Sequence, residues 1–199
     1  IIFTRYPIPG KAKTRLIPAL GAQGAADLQR QLTEHTLGRA TRFQRERPVR
    51  LEIRYTGGSE ASVRQWLTAD HLLPQGDGDL GDRLARAFDS AFRKGARKVV
   101  VIGSDCPALS PPLLAEAFRQ LEASDLVLGP ATDGGYYLVG LRRPAPFLFD
   151  GIPWGTAEVC AETRRRAASC SLSASLLKVL ADVDRPEDLN HFRYHPHPQ

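Results

Sequence analysis

The chain has no methionine, only three cysteines, and few aromatic residues, 8% of its 199 positions. Each shortage excludes something. Cys106, Cys160 and Cys170 are an odd number at unrelated spacings, so neither a disulfide framework nor a zinc site follows. They read as reduced thiols. Long apolar runs are missing as well: nothing approaches the roughly 18–20 residues that a membrane span requires. A basic-then-apolar leader is also absent, which makes the cytoplasm the expected location. The missing Met and the strand-like opening Ile1-Ile2-Phe3 predict that a few residues precede Ile1.

What is present is basic. The net charge is +5 and the isoelectric point is near 9.4, which suits an anionic substrate or a nucleic acid. The cations are dispersed, however, with local groups at residues 42–50 and at Arg164-Arg165-Arg166. No aromatic residues interleave with them as a base-stacking platform needs. The expectation is a solvated basic surface and no nucleic-acid partner.

Helix-like and strand-like periods alternate along the chain. Strands are expected at 1–6, 49–55, 72–73, 98–102, 125–128, 136–141 and 176–180. Helices are expected at 23–44, 60–67, 82–94, 111–122, 157–168 and 186–193. The Val-Val-Val-Ile run at 99–102 is continuous rather than alternating, as in a central parallel strand covered on both faces. This order predicts a three-layer α/β/α fold with a mostly parallel sheet and right-handed crossovers, in a single domain over 1–199. Residues 194–199, with His195-Pro196-His197-Pro198, read as a frayed tail rather than a metal site.

In such folds ligands gather beyond the carboxyl ends of the strands, so polar motifs that follow strands carry the chemistry. After the first strand, Arg5, Lys11, Lys13 and Arg15 share one loop with Gly10, Pro7 and Pro9, a concentration of cations suited to phosphates. The loop is not a Walker motif, because Arg5 stands where the first glycine is required. Gly76-Asp77-Gly78-Asp79-Leu80-Gly81 matches the dinucleotide fingerprint in form, but Asp77 and Asp79 would set negative charge against a pyrophosphate. A tight loop near a nucleobase or ribose explains those glycines, with Gln75, Gly78, Asp79 and Arg83 as its nucleotide-binding candidates.

Asp105, directly after the 98–102 strand, is the candidate metal ligand. Mg²⁺ or Mn²⁺ binds through one or two carboxylates plus substrate phosphates. The alternative is a cap for the helix that starts near Pro111, for which Ser110 is better placed. Asp133, in the turn before Tyr136 and Tyr137, is a candidate base or hydroxyl-binding group, while the two tyrosines pack on alternate faces. Asp182 and Asp184 would point the same way from an extended chain and could complete the metal site. Glu187 and Asp188 fall in a first helical turn, where acids favour the dipole. Asp133 and Lys13 are the two catalytic candidates.

Taken together, Arg5-x-Pro7-x-Pro9-Gly10-Lys11-x-Lys13-Thr14-Arg15-Leu16, Gly78-Asp79-Leu80-Gly81-x-Arg83-Leu84, Ile102-Gly103-Ser104-Asp105-Cys106-Pro107 and Gly129-Pro130-Ala131-x-Asp133-Gly134-Gly135-Tyr136-Tyr137-Leu138 resemble a bacterial family. Its members are glycosyltransferase-A-type (GT-A), nucleotide-diphospho-sugar-transferase-like proteins, and the resemblance runs from Phe3 to about Leu189. It implies a GT-A fold in which Asp105 stands for the acid of the DxD element, with Gly103 and Pro107 on either side instead of a second acid. The same departure brings the chain near the guanylyltransferases of molybdenum-cofactor and phospholactate pathways. Three functions follow. The first is metal-dependent glycosyl transfer from a nucleotide diphospho-sugar. The second is nucleotidyl transfer from a nucleoside triphosphate to a phosphorylated small molecule. The third is a non-catalytic nucleotide-sensing domain.

Overall fold

The computed structural model describes residues 1–192; the expected tail at 194–199, with its His/Pro run, lies outside the described residues. The chain divides into two compact units, each built from separated stretches. One takes Ile2–Pro74, Gly103–Leu109 and the segment from Ala181 onward; the other takes Ile1, Gln75–Ile102 and Ser110–Leu180.

The first unit contains β1 (Ile2–Arg5), α1 (Ile17–Glu46), β2 (Ile53–Thr56), α2 (Glu60–Trp66) and β3 (Leu72–Pro74). Its three strands are parallel, with β2 between β1 and β3 and Ile2 opposite Ile53. α1 is interrupted at Gly21, whose φ of 69° and ψ of 169° are not helical. The regular helix therefore begins close to the expected residue 23. Leu28 and Leu32 on its inner face join Leu16, Ala25 and Val183 in one fully buried cluster. Val183 brings the late segment into this core. The expected terminal helix is a 3-10 turn at Pro186–His191 instead.

The second unit contains α3 (Leu80–Arg93), β4 (Val99–Ile102), α4 (Pro111–Gln120), β5 (Leu126–Pro130), β6 (Tyr136–Leu141), α5 (Val159–Ser169) and β7 (Ala174–Leu176). Strand pairing runs β4-β6-β5-β7. β6 is antiparallel to both β4 and β5, whereas β5 and β7 are parallel. β4 is buried along its whole length, as its continuous apolar run predicts. On one side Ile1 donates its N–H to the Val100 carbonyl at 2.7 Å and its carbonyl accepts the Ile102 N–H at 2.9 Å, the parallel pattern expected. On the other, the ladder of β4 with β6 is antiparallel, because the tight turn after β5 returns the chain in the opposite direction. Coverage of both faces, not ladder direction, set that pattern. The strand expected at 176–180 lies earlier, at Ala174–Leu176; Leu180 keeps only an isolated bridge to Ala131.

Local chemistry explains the helix starts. Asp79 and Asp82 form a reciprocal capping box at α3, each carboxylate accepting the other's backbone N–H at 2.9 and 3.1 Å. At α4, Ser110 occupies the cap position without a side-chain bond, and Pro111 supplies the preset φ of a first helical residue.

Candidate functional site

The loop after β1 is wound tightly. Lys11 and Ala12 both donate their backbone N–H to the Ile8 carbonyl, at 3.0 Å. Gly10 takes a φ of 77°. Lys13 then adopts a left-handed backbone, with φ 48° and ψ 46°, just before a short 3-10 turn at Thr14–Leu16. That conformation is uncommon outside glycine and persists where the surroundings hold it. Here Leu16, buried in the core, fixes the far side of the turn.

The left-handed residue sends its side chain inward. Lys13 is 3% exposed, and its ammonium donates to the Val183 carbonyl at 2.6 Å. It also meets Asp105 Oδ1 at 2.9 Å and Asp184 Oδ1 at 3.7 Å. A lysine is rarely buried unless paired: here the Val183 carbonyl and Asp105 lie within hydrogen-bond distance of its ammonium, and Asp184 adds a longer ion pair. Arg15 Nη1 donates to Asp184 Oδ2 at 2.6 Å from the surface. Two cations thus face two carboxylates within one unit. Arg5, which ends β1, and Gly10 and Lys11 on the loop are exposed.

The carboxylates are held by backbone. The Asp105 carbonyl accepts the Val183 N–H at 2.9 Å, so the segment after β4 and the late segment are joined on either side of Lys13. Ser104 sits in a buried hydroxyl–amide network with Thr4 and Gln29. Asp188 Oδ2 accepts the N–H groups of Asp184 and Arg185, at 3.1 and 2.8 Å, and so fixes the turn that presents Asp184. Sequence reasoning gave Asp188 only a dipole role. The spacing Asp184-x-x-x-Asp188 ahead of a proline-started turn was the available signal. Asp184 approaches the same lysine that binds Asp105.

Among the described residues no three His, Cys, Asp or Glu side chains gather as a metal cage. The donor set is two carboxylates, Asp105 being 46% and Asp184 32% exposed. A zinc-type site needs more ligands than this. A Mg²⁺-type ion does not, since it keeps waters and substrate phosphates in most of its shell. The residues fit such an ion.

The remaining candidates lie in the second unit. Gln75 is buried. The loop after it is laced by Arg86, which donates to the Gln75 carbonyl at 2.7 Å and the Asp77 carbonyl at 2.9 Å. The sequence gave no hint of that arginine. Gly76 and Gly78 have φ near 83° and 90°. Asp79 caps α3, which accounts for one of the acids that made the dinucleotide reading implausible. Arg83 follows in the first turns of the helix, its Nε buried without a hydrogen-bond partner. At Gly81 any Cβ would collide with the Phe149 carbonyl and press on the Trp154 indole.

Asp133 occupies the turn between β5 and β6, where its Oδ1 accepts the Gly135 N–H at 2.8 Å. Gly134 packs directly on the Ala157 backbone. Tyr137 is buried and donates to the Lys178 carbonyl at 3.0 Å. Tyr136 turns the other way, edge-on to Trp154 with ring centroids 6.2 Å apart, and burial pushes its hydroxyl pKa well above the usual range. The tyrosines therefore alternate as expected.

With that geometry in hand, the relatives can be placed. The model of the family described as "Uncharacterized protein conserved in bacteria (DUF2064)" matches residues 39–156. A phosphoenolpyruvate guanylyltransferase of Mycolicibacterium gilvum (strain PYR-GCK) is 26% identical over 194 residues, covering 89% of this chain and 81% of the relative. A crystal structure from Desulfovibrio desulfuricans G20, named for nucleotide-diphospho-sugar transfer, is 36% identical with a TM-score of 0.85. It covers 92% of this chain and 80% of its own. A manganese complex of Rv0371c from Mycobacterium tuberculosis H37Rv shares the fold, at 16% identity and a TM-score of 0.55, over 96% of this chain and 95% of its own. The α/β class of nucleotide-diphospho-sugar-transferase type expected from the sequence is thus the fold of this chain. No helix among the described residues is long and apolar enough to cross a membrane.

Proposed function

The chain belongs to the DUF2064 family, and we propose that it is a transferase that moves a nucleotidyl group from a nucleoside triphosphate to a phosphorylated small molecule. An oxygen of the acceptor phosphate bonds to the α-phosphorus, and the bond from that phosphorus to pyrophosphate breaks. Guanosine triphosphate is the donor by analogy with the guanylyltransferase relative.

The observation that carries this reading is the pairing of Lys13 and Arg15 with Asp105 and Asp184 in the loop after β1. Four cations within eleven residues suit the charge of a triphosphate better than that of a diphospho-sugar. Lys13, Arg15, Arg5 and Lys11 bind the phosphates and stabilise the charge that develops on pyrophosphate as it leaves. Gln75, Gly78 and Asp79, with Arg83 in the first turns of α3, are the residues assigned to the nucleoside. An acceptor phosphate is already ionised, so this reaction asks for no general base. Asp105 and Asp184, or Asp182 in its place, would hold Mg²⁺ or Mn²⁺, which supplies further neutralisation of the leaving group when bound.

Glycosyl transfer is the second reading, favoured by the 36% identical relative named for nucleotide-diphospho-sugar transfer. In it Asp133, on its exposed turn, orients or deprotonates an acceptor hydroxyl. One assay separates the two. Incubation with nucleoside triphosphates, nucleotide sugars and phosphorylated acceptors, with Mg²⁺ or Mn²⁺, releases pyrophosphate under the first reading. Release of nucleoside diphosphate from a sugar donor replaces it with the second. Binding without turnover, unaffected by Asp105→Ala, sinks both and returns a nucleotide-sensing role. A cytoplasmic location belongs to the same proposal.

A further inference from the structure

We infer that Lys13 is the resident counter-cation of the Asp105–Asp184 pair and competes with a divalent ion for those two carboxylates; the inference rests on the metal assignment proposed above. Its ammonium faces three oxygens, the Val183 carbonyl at 2.6 Å, Asp105 Oδ1 at 2.9 Å and Asp184 Oδ1 at 3.7 Å. Carboxylate and carbonyl oxygens are also the donors a hard divalent cation takes. The place is strongly determined, since the lysine is nearly inaccessible and its backbone is held left-handed.

Lys13 pairs with Asp105 and Asp184, and Arg15 with Asp184, so a divalent ion approaching these two acids meets negative charge that is already partly neutralised. Of the two cations, buried Lys13 is the stronger obstacle, because solvent screens the exposed Arg15. A phosphate chain offers Lys13 another anionic partner in the same loop. Metal and triphosphate therefore assist each other's binding, and the ion binds weakly to the protein alone.

The test is a Mn²⁺ titration of the nucleotide-free protein, followed by calorimetry or by the paramagnetic signal of free Mn²⁺. Lys13→Gln removes the charge and tightens Mn²⁺ binding by about tenfold or more. A lysine that merely holds the carboxylates in place predicts the opposite sign, so unchanged or weaker binding overturns the competition. Arg15→Gln, on an exposed side chain, keeps the test open if the buried variant does not fold. It tightens binding by roughly two- to threefold, and an unchanged or weakened constant again overturns the idea. If neither wild type nor variants bind millimolar Mn²⁺, the metal assignment itself falls and takes this inference with it. If wild type binds and neither variant binds more tightly, only the competition is lost.

Discussion

Lys13 and Asp105 lie 2.9 Å apart, nitrogen to oxygen, with the lysine buried and the carboxylate half in solvent. The carboxylate offsets the cost of burying the ammonium, while keeping a side of its own open to water. That asymmetry fits a buried counter-cation beside a carboxylate able to take a second ligand.

Asp105→Asn tests the carboxylate directly. The amide oxygen can still accept from Lys13, so the fold should survive with a loss of about 1 kcal/mol. Turnover should fall at least about 100-fold, because the charge is gone. The check is pyrophosphate release against a thermal melt of the same preparation. Near-normal turnover in a folded variant rules out a metal-ligand role.

Asp188 should act through Asp184. In Asp188→Ala the Asp184 and Arg185 N–H groups lose their acceptor, at about 1 kcal/mol of stability. Turnover should drop about tenfold as the Asp184 turn loosens. Asp188→Asn, which retains an acceptor oxygen, should recover most of both and should restore Mn²⁺ affinity. A recovery of stability without affinity would make Asp188 a helix-start residue only.

These two acids show what could be read from sequence. Asp105 was legible because an apolar run pointed to it. The cations were legible because four of them crowd a strand-end loop. The pairing was not, because Lys13 and Val183 are 170 residues apart and the acceptor is a backbone carbonyl, which no side-chain pattern records. The strand class at β4 was legible in part: it is parallel to the strand start at Ile1 on one side and antiparallel to β6 on the other, and burial on both faces leaves the same apolar run in either case. Of the acids in the glycine loop, Asp79 caps α3 through the Asp82 N–H, three residues on.

Two motif glycines should behave oppositely. Gly81→Ala puts a methyl group into the Phe149 carbonyl and should cost about 2 kcal/mol or more in urea unfolding. Gly103→Ala meets nothing within 4 Å and should stay within about 0.5 kcal/mol of wild type. Equal effects would mean that close packing does not explain the glycine at 81.

Asp125 gives the second unit an acid limit. Burial raises its pKa, but bonds from Ser173, Arg142 and Arg143 outweigh this and hold it at about 2, against an ordinary value of 3.8. A carboxyl depressed on folding contributes stability above its unfolded value and loses it as pH falls through the folded one. Asp125→Asn should therefore be less stable than wild type by about 2 kcal/mol at neutral pH. The gap should narrow between about pH 4 and pH 2. A pH-independent gap in urea titrations assigns the loss to packing instead.

The clamp on Lys13 also has a timetable. A chain leaving the ribosome presents Lys13 early, but the Val183 carbonyl and Asp184 are translated some 170 residues later. At about 5–20 residues per second, that is a wait of roughly ten to thirty seconds. Throughout it, a lysine destined for the interior has neither late partner, and the core that Val183 completes stays open. The first unit therefore takes its first strand and its last core residue from stretches some 170 residues apart, so its assembly is governed by translation of the whole chain between them.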